Sequence, residues 1–123
     1  MKIQEAISQA DALRPTDVDR RQKIKWLETV DAYVFREIIS TRQDATVEEA
    51  PVYDEADGGR ELLVPPPYDE LYLYLLEAKI YYATREMKKY AGAMALYNQT
   101  VSEYTAWYFK NHRQKNTPTP VYY

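Results

Sequence analysis

The chain has 123 residues, 46% of them hydrophobic and 28% charged, with a net charge of −3. That length sets a single domain with one modest core, and this composition excludes wholesale disorder. The acidic balance excludes a dedicated nucleic-acid binder, and the lack of cysteine excludes disulfides and thiolate zinc sites. Glycine is scarce at 3 residues, whereas tyrosine reaches 13. Tyrosine joins a large apolar ring to a polar tip, which suits either a partner-facing surface or a helical core whose hydroxyls reach water.

The N-terminal stretch MKIQEAISQADAL is polar at helical spacing, with neither the apolar centre of a signal peptide nor a membrane span. It predicts a soluble protein, not exported by that route. Ile3, Ala6, Ile7, Ala10 and Leu13 share one stripe, which predicts a first helix over 3–13. Arg14-Pro15 ends it, because a residue before proline is pushed out of the helical region. Thr16 then reads as an N-cap with Asp17 and Asp19 in the first turn, and a second helix is predicted over 17–41. Its inner stripe is Ile24, Leu27, Val30, Val34 and Ile38, widened by Trp26, Tyr33, Phe35 and Ile39, so it must touch more than one neighbour.

The composition then shifts. Between Arg42 and Glu61 the acids Asp44, Glu48, Glu49, Asp54, Glu55, Asp57 and Glu61 face only two arginines. Two short β-prone runs, Pro51–Tyr53 and Glu61–Val64, flank the turn signal Asp57-Gly58-Gly59 and predict a small hairpin within 50–64. A connection this long is functional or disordered. It reads as a protruding acidic loop, 42–67, with Glu48, Glu49, Tyr53, Asp54, Glu55 and Asp57 placed to contact a neighbouring subunit or line a channel.

Pro65-Pro66-Pro67-Tyr68 spells PPxY, a pattern that aromatic-grooved modules bind in extended form. Here Tyr68 is followed at once by Asp69, Glu70 and the strongest helical pattern in the chain, so the prolines are punctuation before a helix start. From Leu73 through Leu76, Ile80, Ala83, Met87, Tyr90, Met94, Tyr97, Val101 and Tyr104 to Tyr108 the apolar steps alternate three and four, as in coiled coils. Gly92 interrupts no register but costs roughly 1 kcal/mol inside a helix. The expectation is therefore two helices, 69–90 and 93–111, that meet near Gly92 rather than one long helix. After the helical domain, 1–111, the tail 112–123 carries Pro118 and Pro120, which favour an extended chain, and ends in Val121, Tyr122 and Tyr123. It reads as a partner-docking tail, with a frayed terminus as the alternative.

Catalytic parts are missing. His112 is the one histidine, with no cysteine or second histidine to share a metal or activate a nucleophile. Glu77, the nearest candidate for a perturbed carboxylate, reads as an exposed helix residue. No phosphate-cradling glycine loop is present. The expectation is a non-enzyme with no cofactor and no metal.

The stretch LLVPPPYDELYLYLLEAKIYYATREM resembles the core signature of head-to-tail connector proteins of tailed bacteriophages, of the siphophage type found in Gram-positive hosts. The features that carry it are Pro67 with Tyr68 and Asp69 at the helix start, the aliphatic run Leu71 to Leu76, Ala78, the pair Tyr81 and Tyr82, and Arg85-Glu86. The resemblance spans roughly Ile24 to Phe109. It implies an all-α bundle and a structural virion protein without catalytic activity. Such an adaptor forms a ring, usually twelvefold, beneath the portal protein at the virion neck after assembly in the host cytoplasm. It extends a channel through which DNA passes without sequence-specific binding, and it offers a platform to the next neck, stopper or tail protein, with no membrane involved. The terminal residues Pro118, Pro120, Val121, Tyr122 and Tyr123 would then be the portal anchor. The alternative from the heptad stripe is a free-standing helical coiled-coil or regulatory protein.

Overall fold

The structure, a computed structural model, describes residues 1–42, 45 and 47–112. Among them stand four α-helices and no strand: α1 (Ile3–Leu13), α2 (Arg20–Glu37), α3 (Glu70–Ala83) and α4 (Met87–Asn111). The all-α bundle expected from periodicity is present, and α1 has the predicted bounds.

The second helix starts later and stops earlier than predicted, and hydroxyl chemistry explains both ends. The Val18 amide donates to Thr16 Oγ1 at 3.2 Å, which makes Thr16 part of a local turn, and Asp19 is the N-cap, accepting from the Arg21 amide at 3.1 Å. At the other end the Ser40 and Thr41 hydroxyls donate to the carbonyls of Arg36 and Ile38, and the chain tightens into a single 3-10 turn over Ile39–Thr41. Ile38 and Ile39 remain buried.

The predicted break near Gly92 is absent. Gly92 lies inside α4, where an added Cβ would meet nothing within 4 Å. The chain reverses instead at Thr84 to Glu86. There the Glu86 amide donates to Tyr81 O at 2.9 Å and the Arg85 amide to Tyr82 O at 3.2 Å, with Arg85 at φ 64°. These are the two crossed bonds of a Schellman motif, and Arg85 fills the left-handed position usually given to glycine. The heptad stripe is therefore cut and folded onto itself as an antiparallel hairpin, with Tyr82 on Tyr90 at one end and Tyr68 on Tyr104 at the other, ring centroids 5.4 and 5.8 Å apart.

α3 is the central element, packed against α1, α2 and α4. It buries Leu71, Tyr72, Leu75, Leu76, Ala78 and Ile80 around most of its girth, as a helix enclosed by neighbours must. Ion pairs tie the periphery. Arg14 meets Glu86 at 2.6 Å, joining the end of α1 to the α3–α4 turn, and buried Lys23 of α2 meets Asp11 of α1 at 2.5 Å.

The acidic connection does not protrude as a whole, and its residues 50–64 form no hairpin. Tyr53, Leu62 and Val64 are buried in the core. The Asp57-Gly58-Gly59 turn is made, but its flanks pair with α1 rather than with each other. Gly58 O accepts from the Gln4 amide at 2.9 Å and Arg60 O from the Ile3 amide at 3.0 Å, with one isolated bridge between Lys2 and Glu61. The first amides of a helix have no partner inside it, so this segment supplies the N-terminal cap that Lys2 cannot.

Candidate interaction surfaces

One polar cluster is built into the core and seats the loop. Asp31 of α2 is fully buried. Its carboxylate accepts from the Tyr53 hydroxyl at 2.5 Å, the Tyr72 hydroxyl at 2.5 Å and the Leu63 amide at 3.0 Å, and the Tyr72 hydroxyl accepts from the Val64 amide at 2.8 Å. Glu28, one turn earlier on α2, accepts from the Tyr53 amide at 2.8 Å. Burial raises the Asp31 pKa above its ordinary value, opposed by the two tyrosine hydroxyls and the Leu63 amide, and burial beside Asp31 raises both tyrosines. Every oxygen of the carboxylate is bonded, so the arrangement holds two loop segments against α2 and α3 and leaves no atom free for chemistry.

The predicted loop residues separate into distinct roles. Tyr53 is the core anchor. Asp54 and Asp57 hold a local turn, each side chain accepting from a backbone amide at 2.8 Å. Glu55 meets Arg21 at 3.4 Å on the surface. Glu48 and Glu49 are exposed and make no ion pair with the described residues. Between these acids runs Ala50-Pro51-Val52, whose valine is 71% exposed.

On the other side of α2 lies an open groove of 420 Å³, formed with α3 and α4 and lined by Trp26, Val30, Tyr33, Leu75, Tyr97 and Val101. Burial here pushes the Tyr97 pKa up to about 12. Lys79 is the one charged residue on its wall, which Asn98 also lines.

α4 has few partners. Over 25 residues it buries only Ala93, Tyr104 and Tyr108, and Leu96, Trp107 and Phe109 are 47%, 38% and 37% exposed. Near its C-terminal end the rings of Tyr68, Tyr104, Trp107 and Tyr108 cluster, and His112 stacks on Tyr108 at 3.8 Å. Arg42 lies over Phe109 with its guanidinium carbon 3.6 Å from the ring centre, and its buried Nε has no hydrogen-bond partner among the described residues.

The helix-start residues are divided in the same way. Tyr68 is part of that aromatic cluster, which agrees with a structural role for the proline run. Asp69 adjoins the first turn of α3, Tyr81 lies beneath Arg14 and Lys89, and Tyr82 is 59% exposed. The tail residues Pro118, Pro120, Val121, Tyr122 and Tyr123 lie outside the described residues. Glu77, expected as an exposed helix residue, is half-buried, and its pKa is raised by that burial. Among the described residues no group of three or more His, Asp or Glu is placed to hold a metal ion, and no helix is long and apolar enough to cross a membrane.

Asp31 and the groove were not singled out by sequence, and Arg85 was named only in the Arg85-Glu86 pair of the resemblance, not as the residue that reverses the chain. Asp31 left one trace, an acid set directly after Val30 and four residues after Leu27 on the apolar stripe. Comparison with protein-family models, curated proteins and solved structures finds no match.

Proposed function

We propose that this chain is a head-to-tail adaptor of a tailed bacteriophage, a structural virion protein that rings the DNA channel beneath the portal and presents a platform to the next neck or tail protein. The observation that supports it most is α4. A 25-residue helix about 37 Å long is packed chiefly on a 14-residue partner about 21 Å long, leaving aromatic and aliphatic side chains in water. Apolar surface of that kind marks an interaction site. A closed ring requires two different faces on each subunit, one for each neighbour, and the groove and α4 supply surface beyond what one fold needs. The net charge of −3 suits a channel wall that DNA passes without sticking. The coiled-coil alternative loses its main support, because the heptad stripe reverses at Arg85 and is largely spent on contacts within the subunit.

The decisive experiment is genetic and structural. The gene should stand between a major capsid gene and tail genes. Its deletion should give filled heads without tails, and electron microscopy of complemented particles should place a ring of this chain under the portal. Removing residues 117–123, with Pro118, Pro120, Val121, Tyr122 and Tyr123, should leave the bundle folded and abolish attachment, since an extended proline-rich segment ending in apolar residues docks at low entropic cost. Tailed particles formed without the gene would refute the reading.

A further inference from the structure

We propose that a second copy of this chain docks its Ala50-Pro51-Val52 tip into the groove between α2, α3 and α4, a contact that deepens the ring reading and rests on it. The geometry begins with α2. Arg21, Ile24, Lys25 and Glu28 lie beside the loop, whereas Trp26, Thr29, Val30 and Tyr33 face the groove. At 3.6 residues per turn the centres of these two sets are about 140° apart around the helix. The segment that follows the tip therefore lies against the face of α2 turned away from the groove, so that a tip seated in a groove belongs to a neighbour. Contacts between two unlike faces propagate head to tail and close into a ring when the rotation allows.

The chemistry of the two surfaces matches. The tip is apolar, with Val52 71% exposed, and it is bracketed by Glu48 and Glu49 on one side and Asp54 and Glu55 on the other. The groove wall is apolar and aromatic, and its one charged residue is Lys79, exposed and without an ion pair among the described residues. Seating valine against Trp26, Tyr33 and Leu75 buries apolar area on both sides, and the free glutamates reach the lysine at the rim. The tip is also held in place before binding. Tyr53 is 2% exposed and bonded to Asp31, whereas Val52 directly before it is 71% exposed. Anchoring Tyr53 inward thus turns Val52 outward.

The chain has no cysteine, so disulfide trapping is clean. Full chains carrying Val52→Cys and Asn98→Cys, mixed and oxidised at high concentration, should form a heterodimer in clear excess over a mixture of Val52→Cys with Ser8→Cys. A chain carrying both Val52→Cys and Asn98→Cys should give a covalent ladder. Lys79→Glu should cut the trapped yield, and Glu48→Lys with Glu49→Lys on the opposing chain should restore it. Val52→Asp should weaken self-association by about tenfold or more. Equal trapping at Ser8, or no Val52–Asn98 product, would overturn the contact. Rings on portals without that product would remove this contact and leave the adaptor reading standing, whereas the product in a chain that never joins a virion would keep the contact and remove the adaptor reading.

Discussion

The seat of the loop is open to a direct test by two tyrosines that differ in one bond. Tyr53→Phe removes a single hydrogen bond to the Asp31 carboxylate. Tyr72→Phe removes a similar bond and also strips the Val64 amide of its acceptor. Asp31, Tyr72 and Val64 are all fully buried, so water cannot replace what is lost. A bond to a charged group contributes about 1.5–3 kcal/mol, and a stranded buried amide costs about 1–3 kcal/mol more. Tyr53→Phe should therefore cost about 1.5–3 kcal/mol and Tyr72→Phe about 2.5–6 kcal/mol. Against a domain stability of about 5–15 kcal/mol, the second loss is at least about a sixth of the total and would unfold a domain at the low end of that range. Urea unfolding followed by far-ultraviolet circular dichroism should show lower midpoints at unchanged slope. Tyr74→Phe, whose surface hydroxyl meets Glu70 at 3.2 Å, is the control and should move stability by less than about 0.5 kcal/mol. If Tyr72→Phe is no worse than Tyr53→Phe, the Val64 bond contributes nothing. If neither differs from the control, the cluster does not hold the loop.

Other perturbations follow from the same contacts. Arg85→Gly should stabilise by up to about 1 kcal/mol, since a side chain at φ 64° is strained there, and Gly92→Ala should add about 0.5–1 kcal/mol; loss of stability in either would place the helix break elsewhere. Asp31 and Glu86 act in opposite directions with pH. Burial raises Asp31 in the fold, so its contribution is full below its ordinary 3.8 and is lost as pH rises through the folded value, and Asp31→Asn should flatten that limb of the stability profile. Glu86 is lowered to about 2 by the Thr84 hydroxyl and Arg14, so its contribution is full above its ordinary 4.5 and lost as pH falls towards 2; Thr84→Ala should shrink that acid limb and leave the part that Arg14 and Lys89 hold.

Helix existence was legible because it depends on periodicity within one segment. Ile3, Ala6, Ile7 and Ala10 mark α1 to the residue, and Ile24, Leu27, Val30 and Val34 are the buried apolar face of α2 as their spacing demands, with Ile38 buried just past its end. The turn between α3 and α4 was not legible, because the left-handed position carries arginine while the nearest glycine sits seven residues on, in a helix that tolerates it. The loop misled for a different reason. Its turn was read correctly at Asp57-Gly58-Gly59, but the groups that satisfy its backbone are the first amides of α1, more than fifty residues away in sequence. Asp31 is the same case, with tyrosine partners 22 and 41 residues distant. No local rule identifies such partners, and only the unusual placement of an acid on an apolar stripe hints at them.

The buried cluster and the proposed contact are linked through adjacent residues, and that link can be measured. Tyr53 anchors inward what Val52 presents outward. A tip fixed before association loses little entropy on docking, whereas a tip released from its anchor must be ordered at that moment, at about 0.5–1.5 kcal/mol for each immobilised side chain. Tyr53→Phe leaves the tip and the groove chemically unchanged. Under conditions where this variant is still folded, it should weaken self-association several-fold and lower the Val52–Asn98 disulfide yield, although the altered hydroxyl touches neither surface. Amide hydrogen exchange should rise at Tyr53 and Leu63 in the same variant, since both amides belong to the seat. Faster exchange without weaker association would mean that the tip needs no anchor. Unchanged exchange would mean that Glu28 and the remaining Asp31 bonds hold the segment on their own, and the link between core and interface would then fail.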